Sequence, residues 1–357
     1  MLAGIAVLLM SFSMTYQSDK SITETFTVNG IPNLLIDNLH GNVNIKVWDK
    51  SEIRIEVNVD VNSRNEKAAS EFIEKTEIEF SQDGNNVFAI TKLAKVDLKK
   101  KWWQFGSDDY QFSVNYEVFI PETTHLKVEN EHGDIRIAAF DGDLDVDLAH
   151  GIVYTANITG KTDLKVEHSE AVIQGLTNGK LDISYSEFET QRAGNLEIKS
   201  IKSEVDINEA LNITAYTKYD EYKIGTMDNL IHEGAYDEIK IGQLRYLDAQ
   251  SRFTEYEIDV CEVGIKGDLY SGELIIEHIS PAFIGGELVF EHTEVDLTFD
   301  NEVNVNVDSE FTELDLENLN GPPIDSDRIQ GIFYLGSGKS AHVLQIKSKF
   351  GELDINN

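Results

Sequence analysis

One short unit recurs along most of this chain, and it restricts the fold more than any local motif does. A representative copy is Leu247-Asp-Ala-Gln-Ser-Arg-Phe-Thr-Glu-Tyr-Glu-Ile258. An apolar strand alternates up to a ring residue. A Gly, Ser, Thr or Asp follows, then an acid, and a second alternating strand leaves. The ring slot holds His132, His150, His168, Tyr185, Tyr219, Tyr236, Phe253, His292, Phe311 and Phe350, with Lys202 and Ser271 standing in register. From His132 the steps are 18, 18, 17, 17, 17, 17, 17, 18, 21 and 19 residues, and a gap of 39 closes the series. A fixed period of this length belongs to stacked units, none of which buries its apolar face alone.

Side-chain parity says what the unit is. Leu126, Val128 and Asn130 share one face by the period of two, and after Gly133 the inward set becomes Ile135 and Ile137. One extra residue at His132-Gly133-Asp134 flips every later side chain, which is the mark of a sharp corner between two strands. Successive coils then stack as parallel strands about 4.8 Å apart. The fold class expected is all-β. Residues 122–357 form a parallel β-solenoid of about 12–13 coils with 17–20-residue repeats. Inward polar residues just before the corner (Asn38, Asn130, Ser200, Thr217, Ser251, Ser309 and Ser348) are expected to hydrogen-bond the corner backbone.

Ahead of the repeats, residues 20–121 read as a smaller β-rich region. It contains one early copy of the corner, His40-Gly41-Asn42, and one helix near 64–75, with Ser63 as its cap and Ala68, Ala69, Phe72 and Ile73 as its apolar face. Residues 1–18 carry an apolar run followed by small residues, the pattern of a signal peptide or N-terminal hydrophobic segment, without a basic leader. Export to the periplasm, the outer-membrane surface or the extracellular space is the expectation.

Charge narrows the partners. With 64 acidic and 30 basic residues the net charge is −34, which excludes nucleic acid and unaided docking on anionic lipid. It admits basic partners and divalent cations. The lone Cys261 allows no internal disulfide and reads as a small buried hydrophobe.

Two stretches are candidates for binding. Lys99, Lys100, Lys101, Trp102 and Trp103 form the one dense basic and aromatic cluster, suited to a membrane interface, a glycan or an acidic partner surface. The acid two places after the ring forms a file through Glu170, Glu187, Glu204, Glu221, Glu238 and Glu255 if coils stack in register. Carboxylates 4.8 Å apart in water repel by roughly 0.9 kcal/mol a pair before screening. Corner N–H groups and Lys199, Lys218, Lys240 and Lys347 are expected to solvate the file; bound calcium or a basic ligand are the alternatives. Zinc at His132, His150 and His168 is disfavoured, because Tyr and Phe replace His at the same slot and neither substitutes for it as a ligand. No nucleophile elbow, P-loop or zincin motif occurs, and no pair of acids stands out for glycoside chemistry.

The stretches Leu35-Ile-Asp-Asn-Leu-His-Gly-Asn-Val-Asn-Ile-Lys-Val-Trp48 and Leu126-Lys-Val-Glu-Asn-Glu-His-Gly-Asp-Ile135 carry Leu-x-Val-x-Asn-x-x-Gly-x-Ile units. In these the chain resembles the putative adhesin family of bacterial envelope proteins, over about residues 30–355. The resemblance implies a β-solenoid, export and no catalytic residues. Most middle copies depart from it by placing Ser, Thr or Asp where the family has Gly after the ring. The function expected is a non-enzymatic, adhesin-like or scaffolding protein of the cell envelope that meets a surface glycan or envelope protein. Self-assembly through solenoid ends and a polysaccharide-active β-helix enzyme are the alternatives.

Overall fold

Strict apolar alternation broken by a corner every 17 or 18 residues produces the architecture seen in the computed structural model, which describes residues 16–93, 110–316, 319–322, 324, 327–336, 338 and 340–356. The N-terminal elements are β1 (Tyr16–Thr27), β2 (Asn33–His40), β3 (Val43–Trp48), β4 (Glu52–Ser63), helix α1 (Glu66–Lys75), β5 (Glu77–Asp83), β6 (Asn86–Lys92) and β7 (Tyr110–Pro121). Next come β8 (His125–His132), β9 (Ile135–Ile137), β10 (Leu144–Ala149) and β11 (Ile152–Glu167). The regular coils are β12 (Glu170–Ser184), β13 (Glu187–Ile201), β14 (Glu204–Lys218), β15 (Glu221–Ala235), β16 (Glu238–Arg252) and β17 (Glu255–Tyr270). The chain ends with β18 (Glu273–Ile279), β19 (Gly285–Glu291), β20 (Glu294–Phe299), β21 (Asn304–Glu310), β22 (Glu313–Asp315), β23 (Arg328–Tyr334), β24 (Val343–Lys349) and β25 (Glu352–Asn356).

The result is a parallel β-solenoid of about ten turns with repeats of about 18 residues, preceded by a small β region. Those turns run in chain order from the His132 corner to the His292 corner; the corners at His40, Phe311 and Phe350 join the stack from segments out of sequence. Neighbouring coils pair in parallel, so equivalent residues sit directly above one another: Glu187 on Glu204, Phe188 on Val205, Ile198 on Ala215. Columns of one residue type follow. Ile207, Ile224, Ile241, Ile258 and Ile276 form an inner file, each no more than 2% exposed. Burying each such side chain contributes roughly 1.5–3 kcal/mol, and only the neighbouring coil supplies the cover. Cys261 is buried in the same core, where burial pushes its thiol up to about 12, which leaves it unreactive.

The inward polar column is buried as parity requires. Asn38 Nδ2 donates to Asn130 Oδ1 at 3.1 Å, and Asn130 Nδ2 donates to the Gly133 carbonyl at 3.1 Å. For this pair the expected bond to the corner backbone holds. Ser200 and Thr217 differ: their hydroxyls donate to the carboxylates of Asp220 and Asp237. The Ser348 hydroxyl has no partner.

Both ends of the stack depart from chain order. The early copy β2–β3 stacks on β8–β9, with Leu34 on Leu126 and Val43 on Ile135, and so is a coil of the solenoid. β3 and β4 are joined by a tight turn, yet they do not pair. β7 lies between them, parallel to β3 and antiparallel to β4, and β1 adds outside β4. Helix α1 packs across β1 and β4 with Ala69 and Phe72 buried. The helix begins at Glu66, and Ser63 Oγ accepts the Asn65 N–H at 3.0 Å just ahead of it.

At the other end, β24 lies between β19 and β21, and β25 between β20 and β22. The chain skips a level after β20, builds the next one, turns back through antiparallel β23 and fills the gap last. β25 is therefore paired on both sides. Of the N-terminal segment 1–18, residues 1–15 lie outside the described residues, and Tyr16 already opens β1.

A ring and carboxylate groove as the candidate functional site

The ring column is built by an unusual backbone choice. From His150 onward, every corner residue takes a left-handed conformation, with φ between 50° and 65°, although none is glycine. A side chain in this region costs about 1 kcal/mol or more. The return is a ladder of rings. His132 and His150 stack with centroids 4.9 Å apart, His150 and His168 at 5.3 Å, Tyr219 and Tyr236 at 4.9 Å, and Tyr236 and Phe253 at 4.8 Å. A stacked pair is worth roughly 0.5–1.5 kcal/mol. Stacking and strain therefore nearly offset, and the column is not explained by stability. The rings remain well exposed, between 44% and 47% for Tyr185, Tyr219, Tyr236 and Phe253. On either side of Lys202 the ring faces cover one another and the edges meet solvent; at Lys202 the stack breaks, and Lys202 and Lys218 lie over Tyr185 and Tyr219.

Two places later stands the carboxylate file. Glu170, Glu187, Glu204, Glu221, Glu238 and Glu255 are paired in register on adjacent strands, and Glu273, Glu294, Glu352 and Glu313 continue the line. Ile152 interrupts it at the head, next to Glu170. Of the four lysines expected to solvate the file, only Lys240 does, 2.9 Å from Glu238. Lys218 Nζ lies over the Tyr219 ring instead, and Lys347 pairs with Glu287 on another side of the coil. Lys199 stands three residues before its corner, on the strand leading in. The repulsion is visible where carboxylates crowd. The Glu273 carboxyl is raised by burial and then by Glu294 and Glu255, and that of Glu352 by the Glu294 charge first.

Rings and carboxylates form the two walls of a groove of about 1350 Å³. Its floor is the residue between them, and the sequence reading missed the purpose of that position. The Gly151 N–H donates to Ser169 Oγ, Ser169 N–H to Ser186 Oγ, and Ser186 N–H to Ser203 Oγ, at 3.0–3.3 Å. The Ser203 N–H donates to Asp220 Oδ1 at 2.7 Å, and the Asp220 N–H to Asp237 Oδ1 at 3.0 Å. Each side chain thus caps the corner of the coil before it. The run of Gly, Ser and Asp in one slot was the available signal: all are small, and Ser and Asp offer an acceptor oxygen.

Beneath the Asp floor lies a sealed polar cluster. Thr217 Oγ1 is 2.6 Å from His232 Nε2 and donates to Asp237 Oδ2 at 2.7 Å, while His232 Nδ1 is 2.6 Å from the Tyr256 hydroxyl. Burial raises Asp237 to about 6 and lowers His232 to about 4. The composition resembles a hydrolytic triad. The geometry does not, because both ring nitrogens are engaged and the His232 and Asp237 side chains are 0% exposed.

The histidine stack is likewise unsuited to a shared metal. In near-parallel rings, such as His150 and His168 at 2°, the nitrogen lone pairs lie in parallel planes and do not converge. Among the described residues no group of three or more His, Cys, Asp or Glu is arranged to hold a metal ion. Lys99, Lys100, Lys101, Trp102 and Trp103 lie outside the described residues; the strands on either side, β6 and β7, occupy the level just beyond the His40 corner.

No family model matches the chain, and no curated protein matches it. Among solved structures it is similar to a putative cell adhesion protein from Clostridium sporogenes, at 8% identity over 95% of this chain and 99% of that one, TM-score 0.18. It is similar to a putative adhesin from Parabacteroides merdae, at 12% identity over 77% and 95%, TM-score 0.32. A putative lipid binding protein from Parabacteroides distasonis matches at 13% identity over 72% and 94%, TM-score 0.30. Two of the three bear adhesion names, as does the family the sequence resembles. At such distances they bear on neither ligand nor activity.

Proposed function

We propose that this chain is a non-catalytic, adhesin-like binding scaffold, exported to the cell envelope, whose ring and carboxylate groove recognises an extended polycationic ligand. The observation that carries the reading is the register of two walls, rings on one side and carboxylates on the other, over the coils from His168 to Phe253. Carboxylates attract ammonium and guanidinium groups by ion-pair contacts, and a ring adds a cation–π contact where its face is not stacked, as at Tyr185 and Tyr219 on either side of Lys202. The chain's own side chains supply the precedent: Lys202 Nζ lies 5.1 Å from the Tyr185 centroid and Lys218 Nζ 5.2 Å from that of Tyr219. A sugar ring would want open aromatic faces, and stacking or a lysine has covered them. Export is supported by the apolar run at residues 2–10 and by the family resemblance. Catalysis finds no support in a file of equivalent carboxylates, since acid–base chemistry needs two groups in different surroundings.

The test is titration of the full chain with a short oligolysine peptide at physiological salt. Binding is expected, weakened at least tenfold by Glu204→Gln/Glu221→Gln/Glu238→Gln and strongly reduced at 0.5 M salt, since screening acts on exposed charge on the order of a Debye length. Binding that ignores the triple variant would overturn the groove as the site.

A further inference from the structure

We infer that the groove's ligand includes the Lys99–Trp103 segment of a second copy of this chain, which makes the protein self-associating through a groove and segment contact. The inference rests on the groove being a polycation site, as proposed above, and adds the partner. Charge complementarity points to it. In a chain of net charge −34, Lys99-Lys100-Lys101-Trp102-Trp103 is the one run that joins consecutive lysines to aromatic rings, which is the chemistry the two walls ask for. The lysines meet the carboxylate file. The tryptophans lie on exposed ring edges, as Tyr270 already does against Phe253 at an interplanar angle of 85°.

Chain length divides the groove between the same copy and another. Tyr236 and Phe253 stand eight and nine strand spacings from the level of β6 and β7, or roughly 38 and 43 Å at 4.8 Å each. Tyr110, the start of β7, is eight steps along the chain from Trp102, a span of at most about 29 Å at 3.6 Å per residue. The segment can reach its own groove no farther than about the Lys202 level, six spacings or roughly 29 Å away, so the Tyr219–Phe253 part is left for a second copy. Since each copy offers one segment and one groove at different places, the contact is heterologous and continues from chain to chain. Two chains of this charge repel at long range, so the local contact prevails only where salt confines that repulsion to about 8 Å.

Sedimentation velocity of the full chain over a concentration series tests this. Wild type is expected to grow beyond the monomer with concentration. Lys99→Glu/Lys100→Glu/Lys101→Glu and, separately, Glu204→Lys/Glu221→Lys/Glu238→Lys should each weaken association at least tenfold. An equimolar mixture of the two variants should restore it, because each then meets an opposite charge. Unchanged thermal melts show that the exposed substitutions leave the fold intact. A monomeric wild type, association indifferent to either variant, or a mixture that stays monomeric would each overturn the inference. Oligolysine binding separates the two ideas: wild type that binds the peptide but remains monomeric loses the self-contact and keeps the groove, whereas loss of peptide binding removes both.

Discussion

The corners at the head of the solenoid and those in its middle hold the same ring column by different means. At His40-Gly41 and His132-Gly133 the glycine carries the positive φ, 126° and 125°. At Tyr219-Asp220 and Tyr236-Asp237 the tyrosine carries it, at 61° and 65°. In the first kind the slot after the ring is pressed against backbone: a Cβ on Gly133 would lie 2.2 Å from the Gly41 carbonyl oxygen. At these two corners of the second kind that slot carries a side chain, and aspartate uses it to cap the preceding corner. The left-handed ring residue does not by itself open that slot, since a Cβ on Gly151 or Gly272, each after a left-handed residue, would still lie 2.1 or 2.2 Å from a neighbouring carbonyl oxygen. The head of the column is glycine-lined, and the middle is polar and charged beneath its rings.

The comparison is broken most forcefully at Gly133. Gly133→Ala is expected to destabilise by about 3 kcal/mol or more, through both the positive φ and the backbone clash, with a fall in Tm in thermal denaturation. Ser186→Ala, at the equivalent slot of a middle corner, should cost about 1 kcal/mol, the worth of one hydrogen bond. Equal losses would show that the two corners are alike.

A second prediction sharpens the charged floor. Asp237 is raised to about 6 in the folded chain, so its contribution is complete below its ordinary value and is lost as pH rises through 6. His232 is lowered to about 4, so its contribution is complete above its ordinary value and is lost as pH falls through 4. Between pH 4 and 6 the two oppose each other. Asp237→Asn leaves His232 alone, so relative to wild type the variant should lose on the order of 2–3 kcal/mol between pH 6.5 and 4, read from urea denaturation. Parallel pH profiles for the two proteins would rule out the compensation.

The smallest effect on stability is expected at the rings. Tyr236→Asn relieves a left-handed tyrosine, which asparagine tolerates, and gives up stacking with Tyr219 and Phe253. Stability should change by at most about 1 kcal/mol, while oligolysine affinity falls about tenfold, the loss of about 1.4 kcal/mol of contact. A large loss of stability with unchanged affinity would make the column structural.

Much of the solenoid was legible because it depends on neighbours in sequence. The alternation of Leu126, Val128 and Asn130 and the parity change at Gly133 locate the corner, and a 17-residue step places Glu187 beside Glu204. The polar floor was half legible: the small residues in its slot were plain, but their role as acceptors for the coil before depends on which N–H group the turn turns inward. His232 was not legible at all. It occupies an inward aliphatic slot, flanked in the stack by Ala215 and Ala249, and only the fold brings Thr217, Asp237 and Tyr256 around it.

By itself, then, the sequence determined the repeat, the corners, the inward and outward faces and the carboxylate file, because period and parity are local properties that stacking merely copies. Tertiary structure alone decided the order of strands at the two ends. β7 enters between β3 and β4, and β24 and β25 enter between coils already formed, because an unfilled level leaves apolar faces and backbone groups without partners, and a distant strand of the right length and pattern satisfies both.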